Sequence, residues 1–181
     1  MKSRKNRKVT KPETDIIELI LHDHLPLKKL VKVLHDLSIK NSEKKASFEK
    51  FATLLLAHAK PEEQSLYSRL QEAKKADLRI EGFEGLTEHG IAENLIEEIR
   101  QTENKNEWTG KVKVLAEIVD HHLREEEGEM FKLVKKEFNL ETRLEIGADY
   151  LFFKDEYEKN KQSVGKRKSQ RKQPEFVESM L

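Results

Sequence analysis

Cysteine is absent from the sequence, and turn-forming residues are scarce, with only 7 glycines and 4 prolines. The lack of cysteine excludes disulfides, thiolate metal sites and cysteine nucleophiles. No apolar run approaches the roughly 20 residues of a membrane span, and none follows the basic N-terminus as a signal peptide would require. We therefore expect a cytoplasmic protein with no membrane partner, and the low glycine and proline content argues against an all-β domain.

Charge is abundant but balanced. Charged residues make up 38% of the chain, well above the ordinary quarter, while the formal net charge is only +1. Basic residues crowd both ends, so we expect a basic arm at 1–12 and a polar, lysine-rich flexible tail at 159–181, flanking one domain at 13–158. Such arms could contact nucleic acid, but solvated tails are the simpler expectation.

The hydrophobic pattern predicts an all-α protein. Apolar residues recur at helical spacing in five segments, which polar stretches separate. Gly82 and Gly85 fall between the second and third segments, so we expect a connection there. The predicted helices span residues 13–37, 47–75, 86–101, 111–138 and 140–158.

Two of these helices carry the same motif. A histidine is followed by glutamates four and five residues later, a large apolar residue at eight and an aromatic residue at nine. The histidines are His58 and His122, and the glutamates four residues later are Glu62 and Glu126. Residues four apart share a helix face, so each pair can direct one nitrogen and one carboxylate at a common point, as metal ligands do.

Helical phase indicates that both pairs face the core. At about 100° per residue, Glu62 and Glu126 lie about 40° from their histidines, within the apolar stripe of each helix. A carboxylate buried there without a partner would be costly, and a metal ion would compensate it. Tyr67 and Phe131, nine residues after the histidines, lie about half a turn away. We expect both rings to face away from the metals, with the fifth helix packed over one or both on the outer surface.

Helical phase places candidate ligands on the other two helices as well. His24 shares a stripe with aliphatic residues, and His89 lies at the edge of an apolar face. His22 points toward solvent, and His121 lies off the centre of its stripe, so His122 is preferred. Glu93 lies further out and is a doubtful ligand. Each of four helices thus supplies at least one ligand, as a site inside a helical bundle requires. The predicted metal ligands are His24, His58, Glu62, His89, His122 and Glu126.

Other metal sites fit the sequence less well. The Glu-x-x-His motif of ferritin-type di-iron proteins is absent, as is the His-Glu-x-x-His motif of zinc proteases. Structural zinc sites are usually four-coordinate and rich in cysteine. Four imidazoles with two carboxylates suit a two-metal site of iron or manganese better.

The motifs together resemble the hemerythrin or HHE cation-binding family over residues 16–150. The resemblance is carried by Asp23-His24, His58-x-x-x-Glu62-Glu63, Glu88-His89 and His122-x-x-x-Glu126-Glu127. It implies an up-down four-helix bundle with a short C-terminal fifth helix and a carboxylate-bridged di-iron centre. The four histidines would be terminal ligands, and the two glutamates Glu62 and Glu126 would bridge the irons.

One position departs from the oxygen-carrying members of that family, which have a second histidine on the third helix where this chain has Glu93. The four-histidine pattern resembles bacterial members implied in iron sensing, nitric-oxide response or repair of iron centres. We expect two iron ions, solvent- or oxo-bridged, with manganese or zinc left open as the native metal.

The sequence is compatible with three functions. The first is a di-iron protein that binds a small ligand, oxygen or nitric oxide, at an open iron position. The second is a di-iron enzyme or iron donor acting in oxidative or nitrosative stress and in repair of iron centres. The third is a metal-sensing interaction module in which the metal orders the bundle.

Overall fold

The computed structural model describes residues 14–170, with side chains through residue 163. The secondary structure in this range consists of five long helices, two of which pass through a π-helical turn. The predicted arm at 1–12 and the last residues of the tail, 171–181, lie outside the described residues. The helices are α1 (Ile16–His35), α2 (41–71, with the π turn Glu63–Tyr67), α3 (Ala76–Gln101), α4 (105–137, with the π turn Glu126–Met130) and α5 (Leu140–Gln170).

The first four helices form the predicted up-down bundle. The short connections at 36–40, 72–75 and 102–104 make successive helices antiparallel neighbours. Contacts between α1 and α4 close the bundle, and α5 packs against α1 and α2. Within the part of the chain that the structure describes, no helix has the length and apolar character needed to cross a membrane.

The connection predicted around Gly82 and Gly85 is wrong, because α3 begins at Ala76 and contains both glycines. They lie where α3 presses against α2. A Cβ on Gly82 would come within 2.8 Å of the Leu70 Cβ, and one on Gly85 within 2.9 Å of the Tyr67 Cε2. These glycines therefore permit close helix packing and do not form a turn.

Other helix boundaries also differ from the prediction. α2 begins at Asn41, before the predicted start at residue 47. α4 begins at Lys105, since the Asn104 side chain caps it by accepting from the backbone N–H groups of Asn106 at 2.9 Å and Glu107 at 3.1 Å. α5 continues to Gln170, so part of the segment predicted as a flexible tail from residue 159 is helical.

The bundle interior contains two apolar cores separated by a polar layer. One, here the Trp108 core, includes Leu27, Leu55, Ile96 and Val119. The other, the Tyr67 core, includes Ile20, Leu66, Leu78, Met130 and Tyr150. Each of the first four helices passes from one core to the other, and the predicted ligands lie at this transition. Each fully buried aliphatic side chain contributes roughly 1.5–3 kcal/mol, so the two cores can hold the polar layer in place.

Candidate metal centre

The polar layer brings the six predicted ligands together. None of the six side chains is more than 4% exposed. Their nitrogen and oxygen atoms form two groups that share His58, and within each group the atoms lie within 4.8 Å of one another. One group contains His58, Glu62, His89 and His122; the other contains His24, His58 and Glu126.

Buried atoms without partners show what this layer lacks. Six buried side-chain atoms among the described residues have no hydrogen-bond partner, and all belong to five of the predicted ligands. Both oxygens of Glu62 and the Nε2 atoms of His24 and His58 are among them. Unsatisfied buried polar atoms are costly. Imidazole nitrogens and carboxylates are also the donors that iron or manganese accepts, so the residues present fit metal ions.

The two carboxyl groups respond differently to burial. Burial raises the pKa of Glu62 well above its usual range, and the neighbouring Glu126 raises it further. Burial acts in the same direction on Glu126, but His122 and His24 outweigh it and hold that pKa below its usual value. Burial and the nearby His24 lower the pKa of His58. A neutral imidazole retains the lone pair that binds a metal.

Acidic side chains hold the outer nitrogens of two histidines. His24 Nδ1 lies 2.8 Å from Glu127 Oε1, and Lys28 donates to the other oxygen of the same carboxylate. His122 Nδ1 lies 2.6 Å from Glu88 Oε2. With Nδ1 donating outward, Nε2 of each ring faces the centre. This is the orientation that outer partners impose on metal-bound histidines.

The other two histidines have longer outer contacts. His89 Nδ1 faces Glu63 Oε1 at 3.4 Å, an ion-pair distance without a hydrogen bond. His58 Nδ1 lies 3.4 Å from the Tyr150 hydroxyl, which donates to Asp23 at 2.5 Å. We call Asp23, Glu63, Glu88 and Glu127 the brace acids.

The brace acids link the helices in a closed ring. Asp23 on α1 contacts the histidine of α2 through Tyr150, and Glu63 on α2 lies beside the histidine of α3. Glu88 on α3 pairs with the histidine of α4, and Glu127 on α4 pairs with the histidine of α1. Sequence reasoning did not assign these roles. The only signal was that each acid directly follows or precedes a predicted ligand: Asp23-His24, Glu62-Glu63, Glu88-His89 and Glu126-Glu127.

The prediction that Tyr67 and Phe131 face away from the metals is wrong. The Tyr67 hydroxyl donates to Glu126 Oε1, and the Phe131 ring stacks near His24 with centroids 6.4 Å apart. Tyr67 is the last residue of one π turn and Phe131 directly follows the other. In a π turn the hydrogen bond spans one residue more than in an α-helix. Because of the extra residue, each ring takes the direction that a regular helix would give to the preceding residue, about 80° from the histidine and toward the core.

The fifth helix also differs from its predicted role. Tyr67, Phe131, Ile146 and Tyr150 share one core, so α5 does pack with both aromatic residues. It does so inside the molecule, and its Tyr150 reaches His58.

Nearby polar residues lie where helical phase placed them. The side chain of His22 is 84% exposed. His121 is 59% exposed and pairs with Glu125 at 3.0 Å. Glu93, the doubtful ligand, is 42% exposed and binds Lys60 at 2.6 Å. None of the three belongs to the two buried groups of possible metal donors.

Comparison with known proteins agrees with this geometry. The family model of the hemerythrin HHE cation binding domain matches residues 15–134. The chain belongs to this family. Neither the comparison with curated proteins nor that with solved structures gave a match. The matched hemerythrin domain covers all six predicted ligands and the four brace acids, whereas Tyr150 of α5 lies beyond it.

Proposed function

We propose that the hemerythrin domain binds two iron ions through His24, His58, Glu62, His89, His122 and Glu126, and that the iron pair binds oxygen or nitric oxide. The observation that carries the proposal is the cluster of buried donor side chains from four helices, in which Glu62, Glu126, His24 and His58 have atoms without hydrogen-bond partners. Family membership supports cation binding.

Charge supports a pair of divalent cations. The two central carboxyls lie beside three brace carboxylates, Glu63, Glu88 and Glu127, none more than 23% exposed. Lys28 and Lys60 offset part of this charge from the edge of the layer. Four imidazoles that act as neutral ligands add none. Two cations would neutralise the centre, which explains how such a layer is tolerated between two apolar cores.

Burial favours a very small ligand. Iron would supply a redox-active Lewis acid when bound, and four histidines and two carboxylates divided between two ions would leave coordination positions open. The protein's part is to orient the donors and limit access. With the six side chains at most 4% exposed, a diatomic molecule suits this space better than a larger substrate. The Tyr67 hydroxyl donates to Glu126 and so places a protein O–H group at that carboxylate.

Metal analysis of the protein purified from iron-replete cells tests the proposal. We expect close to two irons per chain and an optical spectrum that changes when oxygen or nitric oxide is added to the reduced protein. A firm value of one metal, or a preference for zinc when iron is plentiful, would contradict it.

Two neighbouring histidines provide a matched control. His24→Ala removes a buried side chain at the centre, whereas His22→Ala removes one that is 84% exposed. We expect His24→Ala to lose iron and the spectrum, and His22→Ala to keep both.

A further inference from the structure

An acidic cleft opens between α3 and α4. It has a volume of about 180 Å³, and His122 and Glu126 of the centre form part of its lining. Glu126 is 3% exposed, and its Oε2 has no hydrogen-bond partner. The glutamates that line the cleft are Glu81, Glu84, Glu88, Glu125, Glu126 and Glu129.

The cleft carries a net negative charge. No lysine or arginine is among its lining residues in the described part of the chain. Glu129 is paired at the rim with the exposed Lys132 at 2.9 Å. Burial raises the pKa of Glu81, and so does the negative charge of Glu84, which is the behaviour of like charges close together. A recess lined by one sign of charge concentrates ions of the opposite sign and speeds their arrival.

A second cluster of donor atoms lies beside the cleft. Glu88, His121 and Glu125 each direct one such atom so that all three lie within 4.8 Å of one another. Unlike the centre, this cluster is accessible, since His121 is 59% and Glu125 45% exposed. Glu88 belongs both to this cluster and to the centre, because its Oε2 lies 2.6 Å from His122 Nδ1. The cluster is thus one side chain away from a buried donor.

The opposite side of the centre is covered. There α5 packs on α1 and α2, and Tyr150 and Lys154 close over Asp23. On the α3–α4 side, the lining of the cleft consists of glutamates together with His122, Gly85 and Met130.

We propose that the acidic cleft is the route by which divalent iron reaches and leaves the centre, with Glu88, His121 and Glu125 as a weak transit site on the way. The inference rests on the proposed metal centre and adds how the metal gets there.

The rate of metal uptake by the full apoprotein tests this route. Fe²⁺ is supplied without oxygen from a coloured chelator complex, and its transfer to the protein is followed in time. Metal per chain is then measured at equilibrium. In the double variant Glu81→Gln/Glu84→Gln, two charges are lost from residues that are not donors of the centre. We expect uptake at low ionic strength to be at least about 10-fold slower, with two metals still bound at equilibrium. Added salt should shrink the difference.

The control removes the same number of charges outside the cleft, one from α3 and one from α4. Glu97 and Glu117, 58% and 54% exposed, lie outside the cleft lining, so Glu97→Gln/Glu117→Gln should load at close to the wild-type rate. His121→Ala tests the transit site and should slow uptake without reducing the final metal content. Equal rates for the cleft variant, His121→Ala and the control would overturn the route. Failure of the wild type to bind two metals at any time would instead overturn the proposed function itself.

Discussion

The two adjacent glutamates of the repeated motif have different roles, and one of them is a brace acid. In Glu126-Glu127, Glu126 faces the centre, whereas Glu127 accepts from the far nitrogen of His24 on another helix. Such a partner fixes which ring nitrogen keeps its proton and therefore which one offers a lone pair. Orientation of the four histidines thus depends on residues that do not themselves face the metal.

Removing one brace should weaken metal binding without abolishing it. Glu127→Ala takes away the acceptor for His24 Nδ1, and we expect about 10–100-fold weaker iron affinity with two metals still bound at saturation. Glu127→Gln keeps an acceptor oxygen and should recover part of the loss. Competition with a chelator of known affinity measures the effect. Glu117→Ala, on the same helix and exposed, is the control, and an equal loss there would refute the bracing role.

Sequence alone could identify residues by the face of the helix they occupy, but not by their partners. Phase within a single helix was enough to separate His24 from His22 and His122 from His121, because burial follows the apolar stripe. The brace acids pair between helices, as Glu63 does with His89. Such pairs depend on how neighbouring helices are rotated, which no single helix encodes.

The two π turns matter at the level of the helix. Both begin directly after or at a glutamate of the centre, at Glu63–Tyr67 in α2 and Glu126–Met130 in α4. A constant phase of about 100° per residue holds up to those glutamates and fails beyond them, since each π turn shifts the following residues by one position. A regular helical pattern therefore could not predict that the Tyr67 side chain points inward.

The close packing of α3 against Tyr67 makes it possible to test whether the Tyr67 side chain points inward. Gly85→Ala places a methyl group against the Tyr67 ring, and we expect a loss of about 1–3 kcal/mol in the free energy of unfolding. Gly90→Ala on the same helix meets no atom within 4 Å and should be stabilising by up to about 1 kcal/mol. Denaturant unfolding of the apoproteins measures both. Similar effects from the two substitutions would mean that Tyr67 does not lie against Gly85.

Across the whole molecule, metal binding and folding should be coupled. The unfolded chain has no assembled centre, so metal bound to the folded state adds to its stability. With free metal at 100 times its dissociation constant, the gain is about 2.7 kcal/mol, or roughly 5–10 °C in Tm for a chain of this size.

The variant Glu62→Gln distinguishes the effect of the metal on stability from the effect of the buried carboxyl. It removes a carboxyl that is 0% exposed and whose oxygens lack partners, while nearly keeping its shape. We expect the variant to lose iron, yet its apo form should melt no lower than the wild-type apoprotein. Thermal melts of both proteins with and without iron measure this. Equal Tm values for apo and loaded wild type, with two irons demonstrably bound, would show that the carboxylates are not linked to folding.

The wide separation of the centre residues along the chain also sets the timing of its assembly during synthesis. The first hairpin supplies His24, His58 and Glu62, but Glu126 lies in the fourth helix. The roughly 60 residues between Glu62 and Glu126 take several seconds to translate. Tyr150, which braces His58, emerges later still. A nascent chain therefore exposes three of the six predicted ligands before the other three have been synthesised. The complete centre can bind metal only after α4 has left the ribosome.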